Sequence, residues 1–592
     1  MKVKKLSSIV LIIVILFFGQ LWNIKPARAS TFLVTNTKDS GSGSLRQALI
    51  EANNQSGGDT IAFNIPTSDP GYKDFVDISY WKIIIHTPLP ELKKNKTTID
   101  GYSQTIINGD TNPFGPEIVI DGDGVGMGGV MSILTIQSNM NVVNDIVFYN
   151  APGPAVRIIA GANNNSIKKS YFGSDPTGTA FFGNGSGIEI TSGSYANKIE
   201  DCIIGANDTY GVLITDSGTD ANVVSGSYIG VGSGDFSTIR NFWDGIYITG
   251  GAKGNVIGGS SETSRNIISG NNLSGVTISG TGTDGNKILN NYIGPDANGE
   301  SFPNVGNFLN GVMIEKGAKQ NEISLNVISG NHDNGIYLHG SGTDKNLIKD
   351  NIIGANPQET ALIPNHHHGI FIKDGPRENR IEDYKGSIKG NVIVGSGWSG
   401  IVVLNSHDNY IALNSIGTNR GVHASDLGNV FHGIAIVNAS NNEIRDNHIA
   451  YNGTQTGVKK AGVLVDGVSA VGNSIMVNSI HNNSGKGIEL ISGGNGGIST
   501  PAFTEVKCNQ VKGTACPGCK VAIYSDDEDE GRYFDGSTTA DSSTGNFIWS
   551  GYLHGPNVTA IMGVESTGNT SEFSSPEKTI ACINSYVPII FR

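Results

Sequence analysis

Between residues 187 and 490 one four-residue phrase returns eleven times: Gly, then Ile or Val, then any residue, then Ile, Leu or Val. It is headed by Gly187, Gly211, Gly245, Gly275, Gly311, Gly335, Gly369, Gly400, Gly433, Gly462 and Gly487, at intervals of 24, 34, 30, 36, 24, 34, 31, 33, 29 and 25 residues. After nine of these glycines an Asn follows nine to eleven residues later: Asn222, Asn255, Asn286, Asn321, Asn346, Asn379, Asn409, Asn442 and Asn473. A constant phrase at a nearly constant interval marks a repeating structural unit whose length varies only at particular corners.

Each unit reads as three short strands, for example residues 335–338, 346–348 and 351–353, separated by Gly, Asn and Asp, which tolerate the left-handed backbone of sharp corners. Alternation sends Ile336 and Leu338 to one face and Tyr337 and His339 to the other. No single unit can bury its apolar face. Stacked into a coil, successive units pair strand on strand at ~4.8 Å, the apolar residues fill a continuous interior, and only the two ends keep unpaired backbone. The recurring Asn would form a ladder of amides bonded to the copies above and below. This is an all-β parallel β-helix, and the preferred hand of parallel crossovers makes it right-handed. A string of β-sandwich domains would instead require antiparallel hairpin spacing.

The ends read differently. Residues 44–53, SLRQALIEAN, place Leu45, Ala48, Leu49 and Ala52 on one helical face behind Ser44 as N-cap and Gln47 at the third position, a plug for the first coil. Ahead of it, Lys2, Lys4 and Lys5, an apolar run and Ala27-Arg28-Ala29 match a secretory signal cut after Ala29. Removing residues 1–29 takes away five positive charges, so the formal charge goes from −13 to −18. An acidic exported chain is a poor partner for nucleic acid or anionic lipid, and the membrane is met only through the signal segment. The repeat fades into GGNGG near residue 495, read as a flexible joint. Beyond it strand-period alternation with frequent turns suggests a small β-sandwich. Cys508, Cys516, Cys519 and Cys582 allow two disulfides there, with the pairing left open. The expected organisation is a signal peptide (1–29), an N-terminal cap with first coils (30–130), the β-helix (131–495), the sandwich (496–582) and a tail (583–592).

The repeats resemble those of bacterial secreted right-handed β-helix proteins, on residues 265–299, RNIISGNNLSGVTISGTGTDGNKILNNYIGPDANG. The segment FLVTNTKDSGSGSLRQALIEANNQSGGDTIAFNI is similar to the opening of such proteins, and TTIDGYSQ at 97–104 to their first full coil. GNTSEFS at 568–574 resembles the end of the Ig-like modules that follow such helices, and SYVPIIFR the tails of some exported bacterial proteins. The resemblance implies a fold, and one fold hosts many activities.

Chemistry must therefore come from outward positions. The second and fourth residues after each Gly form two stripes, and the residue two before it a third. Together they bring Glu315, Asp333, Tyr337, His339, His367, Phe371, Lys373 and Trp398 close, with Tyr247 further along. Rings beside charged groups suit a polysaccharide or cell-envelope glycan, whose C–H faces pack on aromatics while its hydroxyls need hydrogen bonds. Outward β positions also favour rings for reasons of packing alone. Hydrolysis by paired carboxylates needs two acids about 5–9.5 Å apart, and the stripes supply no such pair. A uronate lyase needs one base and a cation; Lys373, His339 or His367 could be the base, and Arg377, or a Ca²⁺ held by Asp333 and Asp374, the neutraliser. Equally, Glu315, His339 and Lys373 could be a surface charge ladder. The residues 526–530, DDEDE, could hold Ca²⁺ or simply be solvated. Of His366, His367 and His368, strand alternation would let at most two converge on a metal. The expectation is a monomeric, glycan-binding, cell-surface or secreted β-helix that needs no cofactor, with a polysaccharide lyase and a structural envelope protein or adhesin as the alternatives.

Overall fold

The computed structural model describes residues 29–579 apart from 56, 126–130, 233–237, 302–304, 383–389 and 421–425. The expected signal peptide, the tail and Cys582 lie outside the described residues.

The chain winds as a right-handed parallel β-helix with three walls. Two walls have 15 strands each and the third has 13. In a typical coil the chain runs through Ile336–His339 on the third wall, Leu347–Lys349 on the first and Ile352–Ile353 on the second, within one residue of the predicted strands. Pairing is parallel throughout the walls, except where Tyr72–Asp74 pairs antiparallel with Ser79–Ile84 at the N-terminal end. Coils begin at Thr31–Val34, already paired with Thr60–Phe63. One inward apolar residue per strand on the first and second walls of a typical coil, and two on the third, build a single interior that runs the length of the helix; Ile314, Leu338, Ile348, Ile353 and Ile372 are all fully buried. Among the described residues no helix is long and apolar enough to cross a membrane.

The signature glycine is required by close approach rather than by left-handed backbone. A Cβ on Gly335 would lie 2.6 Å from the carbonyl oxygen of Gly369 and 2.7 Å from Ile353 Cγ2. Gly311 and Gly400 meet the next glycine's carbonyl at 2.7 Å in the same way. The left-handed corners fall elsewhere, on the residue before each ladder Asn, and they are not reserved for Gly, Asn or Asp. Ala221, Gln320, Lys345 and Glu378 all adopt φ between 54° and 59° there. The fully satisfied Asn that follows holds the corner in place against a left-handed cost of roughly 1–2 kcal/mol.

The Asn ladder is present and is one of three. Asn321 Nδ2 donates to Asn346 Oδ1 at 3.2 Å, and Asn346 Nδ2 to Asn379 Oδ1 at 3.1 Å, with each backbone N–H donating to the same oxygen. A second ladder runs through Asn291, Asn326, Asn351 and Asn391. A third runs through Asn271, Asn307, Asn331 and Asn365. Ser396 interrupts it by donating its backbone N–H to Asn429.

Helix α1 (Leu45–Asn54) plugs the first coil as predicted, burying Leu45, Ala48, Leu49 and Ala52, and Ser44 accepts from the Gln47 N–H. The Gln47 side chain turns forward to Glu51 instead of back to the cap. A second helix, α2 (Tyr102–Asn108), follows the strand Thr98–Asp100 at the end of the segment read as the first full coil. Its Ser103 and Gln104 take the bonds a strand would make, accepting from the N–H groups of Phe63 and Ile65.

At the other end, residues 502–578 form a three-stranded and a four-stranded antiparallel sheet over a shared core that includes Val511, Val521, Trp549 and Val558. Cys516 bonds to Cys519, and Cys508 is disulfide-bonded too, while Cys202 is free and buried inside the coils. The flexible joint is corrected: Asn495 is fully buried, accepts from the Asn473 N–H and donates to Thr570 O. The C-terminal unit caps strand edges of the last coil and ends the ladder that Ser396 interrupts, where Asn452 donates to Asn483 and Asn483 to Glu530. Thr570 Oγ1, Tyr524 Oη and Glu530 accept from the N–H groups of Ile475, Val477 and Asn483. The acidic run therefore splits: Asp527, Glu528 and Asp529 are solvated, whereas Asp526 and Glu530 are buried.

Candidate functional site

Vertical register on the third wall is as the repeat spacing implies. Glu315, His339 and Lys373 pair rung to rung, as do Met313, Tyr337 and Phe371. The Tyr337 and Phe371 rings stack with centroids 5.3 Å apart, and His339 lies 5.5 Å from Tyr337. Burial, with the charges of Asp374, Asp333 and Glu315 beside it, pushes the Tyr337 hydroxyl up to about 12, so it stays a neutral donor.

The corner leading into this wall carries a second line of groups in backbone register. The His367 N–H donates to Asp333 O at 3.0 Å, Trp398 N–H to His367 O at 2.9 Å, and Phe431 N–H to Trp398 O at 2.9 Å. These bonds place Asp333, His367, Trp398 and Phe431 on successive rungs, ~4.8 Å apart. Asp333 Oδ1 accepts from His367 Nδ1 and from Asn334 Nδ2. The indole of Trp398, 49% exposed, is the ring on which the rest converges. His367 lies 4.9 Å from it and His368 5.3 Å, and His368 also sits 4.9 Å from Phe371.

His366, His367 and His368 lie in a bend rather than a strand, so alternation does not govern them. They go three ways: His366 to His332 at 4.8 Å, His367 to Asp333, and His368 to the Ser399 N–H. Among the described residues no group of three His, Cys, Asp or Glu is placed to hold a metal ion.

Other candidates fall outside this convergence. Glu315 points outward yet is only 8% exposed, accepting from Ser279 Oγ and Lys316 Nζ, so it is already engaged. His339 and Lys373 share Asp374, at 3.9 and 3.7 Å, at the far end of the strands from Asp333. Arg377 lies on the next corner, where its N–H donates to Asp344 and it bridges to His407. Tyr247 belongs to an earlier ring cluster, 4.8 Å from Tyr210, which in turn sits 5.0 Å from Trp243. The stripe chosen from sequence omitted the position immediately before each Gly, which brings in His368, and the one three before it, where Phe242 and Phe308 are 63% and 57% exposed. The signal was available: both positions keep a constant offset from the signature glycine.

The edge is open. A concavity of about 580 Å³ lies on the first wall around Tyr410 and Glu443, and one of about 570 Å³ lies between Glu443 and Arg445 of that wall and Lys520, Gly563 and Thr570 of the C-terminal unit.

Residues 365–511 match the family model described as the right handed beta helix region. Among solved structures, the chain is similar to the A-module of mannuronan C-5 epimerase AlgE4 from Azotobacter vinelandii. The identity is 12%, over 70% of this chain and 94% of that one, with a TM-score of 0.39. It is also similar to a tailspike protein of E. coli bacteriophage HK620, at 13% identity over 92% and 93%, TM-score 0.40. A third is the periplasmic alginate epimerase AlgG, at 13% identity over 72% and 80%, TM-score 0.34. No curated protein matches the sequence.

Proposed function

We propose that the protein is an exported, monomeric polysaccharide-binding β-helix, and that the glycan lies along the edge formed by Asp333, His367 and Trp398 and the adjoining rings of Tyr337 and Phe371. The observation that carries this reading is the run of rings on consecutive rungs, with Trp398 half-exposed and Tyr337 stacked on Phe371 at 5.3 Å. Sugar rings present C–H faces that pack on flat aromatics, and a polymer extends over several contacts as an open edge requires. Hydroxyls of a bound chain have donors and acceptors at hand in Asp333, the Asp374 carboxylate and the His339 and His367 rings. A free carboxylate on the ligand would face Asp333 and Asp374, which favours neutral sugars over polyuronates. Hydrolysis by a carboxylate pair gains no support, since Asp333 and Asp374 occupy opposite ends of the strands.

Retention on a panel of insoluble and gel-embedded polysaccharides tests this reading. The wild type is expected to be retarded by at least one glycan, and Trp398→Ala and Tyr337→Ala to lose retardation while melting at an unchanged temperature. Equal retardation of wild type and Trp398→Ala would remove the edge as the binding site.

A further inference from the structure

Two adjacent imidazoles on this edge are held in opposite tautomers. His367 Nδ1 faces a carboxylate oxygen of Asp333, which accepts, so Nδ1 carries the proton and Nε2 keeps its lone pair. His368 Nδ1 faces the backbone N–H of Ser399 at 3.3 Å. A backbone N–H only donates, so this Nδ1 is bare and Nε2 carries the proton. Both rings flank the Trp398 indole, at 4.9 and 5.3 Å. One is thus a base oriented by a carboxylate, and the other a neutral N–H donor beside it. Burial, with the neighbouring His367, pushes His368 down to about 4, which keeps it uncharged and donating near neutral pH.

We propose that His367 and His368 form an acid–base pair that hydrolyses an O-acyl ester on a glycan stacked against Trp398. The inference rests on the glycan-binding reading above. In the step, a water oxygen attacks the ester carbonyl carbon while His367 Nε2 takes one water proton. The carbonyl π electrons move onto oxygen, which accepts a hydrogen bond from His368 Nε2–H. The tetrahedral species then collapses: the carbon–oxygen bond to the sugar breaks, the sugar oxygen takes the proton back from His367, and a carboxylic acid leaves and ionises. The charges suit an ester. Its carbonyl begins neutral and gains one negative charge, opposite the imidazolium that forms at the same moment. Elimination from a free uronate would add a second negative charge beside Asp333, and neither Asp333 nor His367 is ion-paired with a lysine or arginine among the described residues. Asp333 is a positioning residue: it holds the tautomer and stabilises the imidazolium.

The test uses acetylated xylan, its alkali-deacetylated form and p-nitrophenyl acetate, with the full chain. Release of acetate is expected from the first and third, falling roughly 10²–10⁴-fold in His367→Ala on p-nitrophenyl acetate, which is too small to span the edge, as well as on acetylated xylan. Asp333→Asn is expected to lower kcat on p-nitrophenyl acetate, and Asp333→Glu, which keeps the carboxylate, to recover part of it; a merely structural loss would not be rescued by the conservative variant. His368→Gln, which keeps an N–H donor, is expected to retain more activity than His368→Leu. Unchanged release in His367→Ala overturns the proposal. So does retardation on xylan without acetate release, which would leave the glycan reading standing. Hydrolysis of p-nitrophenyl acetate dependent on His367 but without any glycan retained would overturn the glycan instead.

Discussion

Replacing Asn346 by Ala tests what holds the coils in register. The side chain is fully buried and makes four hydrogen bonds: it accepts from Asn321 N and Nδ2 at 3.0 and 3.2 Å, and donates to Asn379 Oδ1 and Ala318 O at 3.1 and 3.4 Å. Truncation leaves the Asn321 backbone N–H with no acceptor in a dry interior, at a cost of about 1–3 kcal/mol. The Asn321 amide keeps its bond to Thr283 O at 3.3 Å, so it is only partly orphaned. The other three lost bonds are worth about 0.5–1.5 kcal/mol each, giving a total of about 3–6 kcal/mol with partial relaxation. Asn346→Asp is expected to be as damaging, because its second oxygen would face Asn379 Oδ1 and bring a buried charge. A solenoid does not unfold in one step. The assay therefore pairs urea denaturation with hydrogen exchange: exchange at Asn321 and in the adjacent coils should accelerate before that of distant coils. A variant within about 0.5 kcal/mol of wild type, with Asn321 protection intact, would refute the ladder as a source of stability.

Leu338→Ala removes a fully buried side chain from the third wall and should cost about 2–5 kcal/mol, read from the urea midpoint. Leu325 is half-exposed with φ 59°, so Leu325→Gly should stabilise by about 1 kcal/mol in the same assay; a loss of stability would refute left-handed strain at the corners. Burial first, and then the neighbouring carboxylates Asp529 and Asp526, raise Glu530 from 4.5 to about 8 even though it accepts from Asn483. The protonated acid is favoured in the folded state, so its contribution is complete below pH 4.5 and is lost as pH rises to about 8. Melting of the C-terminal unit should weaken across that window, and Glu530→Gln should flatten the slope; an unchanged slope would exclude Glu530 as its source.

The repeat made the coil, its three strands, the inward Ile and Val and the first Asn ladder legible, because each depends only on residues at constant offsets within one unit. Register followed too: once a Gly must tuck its Cα under the next glycine's carbonyl, residues two or three dozen apart are forced into vertical alignment. Tyr337 over Phe371 was readable for that reason. Single-copy features were not. The docking of the C-terminal unit onto the last coil depends on Glu530, Tyr524 and Thr570 meeting three particular strand edges, and a Gly-rich stretch gave no sign that Asn495 would be buried to finish a ladder. Nor did Glu315, outward by parity, reveal that Ser279 and Lys316 would close over it.

The sequence by itself determined which side chains share a rung, since periodic spacing and backbone hydrogen bonding leave a β-helix no other register. Only the tertiary structure decided what those side chains do, because a hydrogen-bond partner is chosen by orientation rather than by offset. His367 and His368 are neighbours in sequence with the same chemistry, yet a carboxylate meets one and a backbone N–H the other, and from that difference alone one becomes a base and the other a donor.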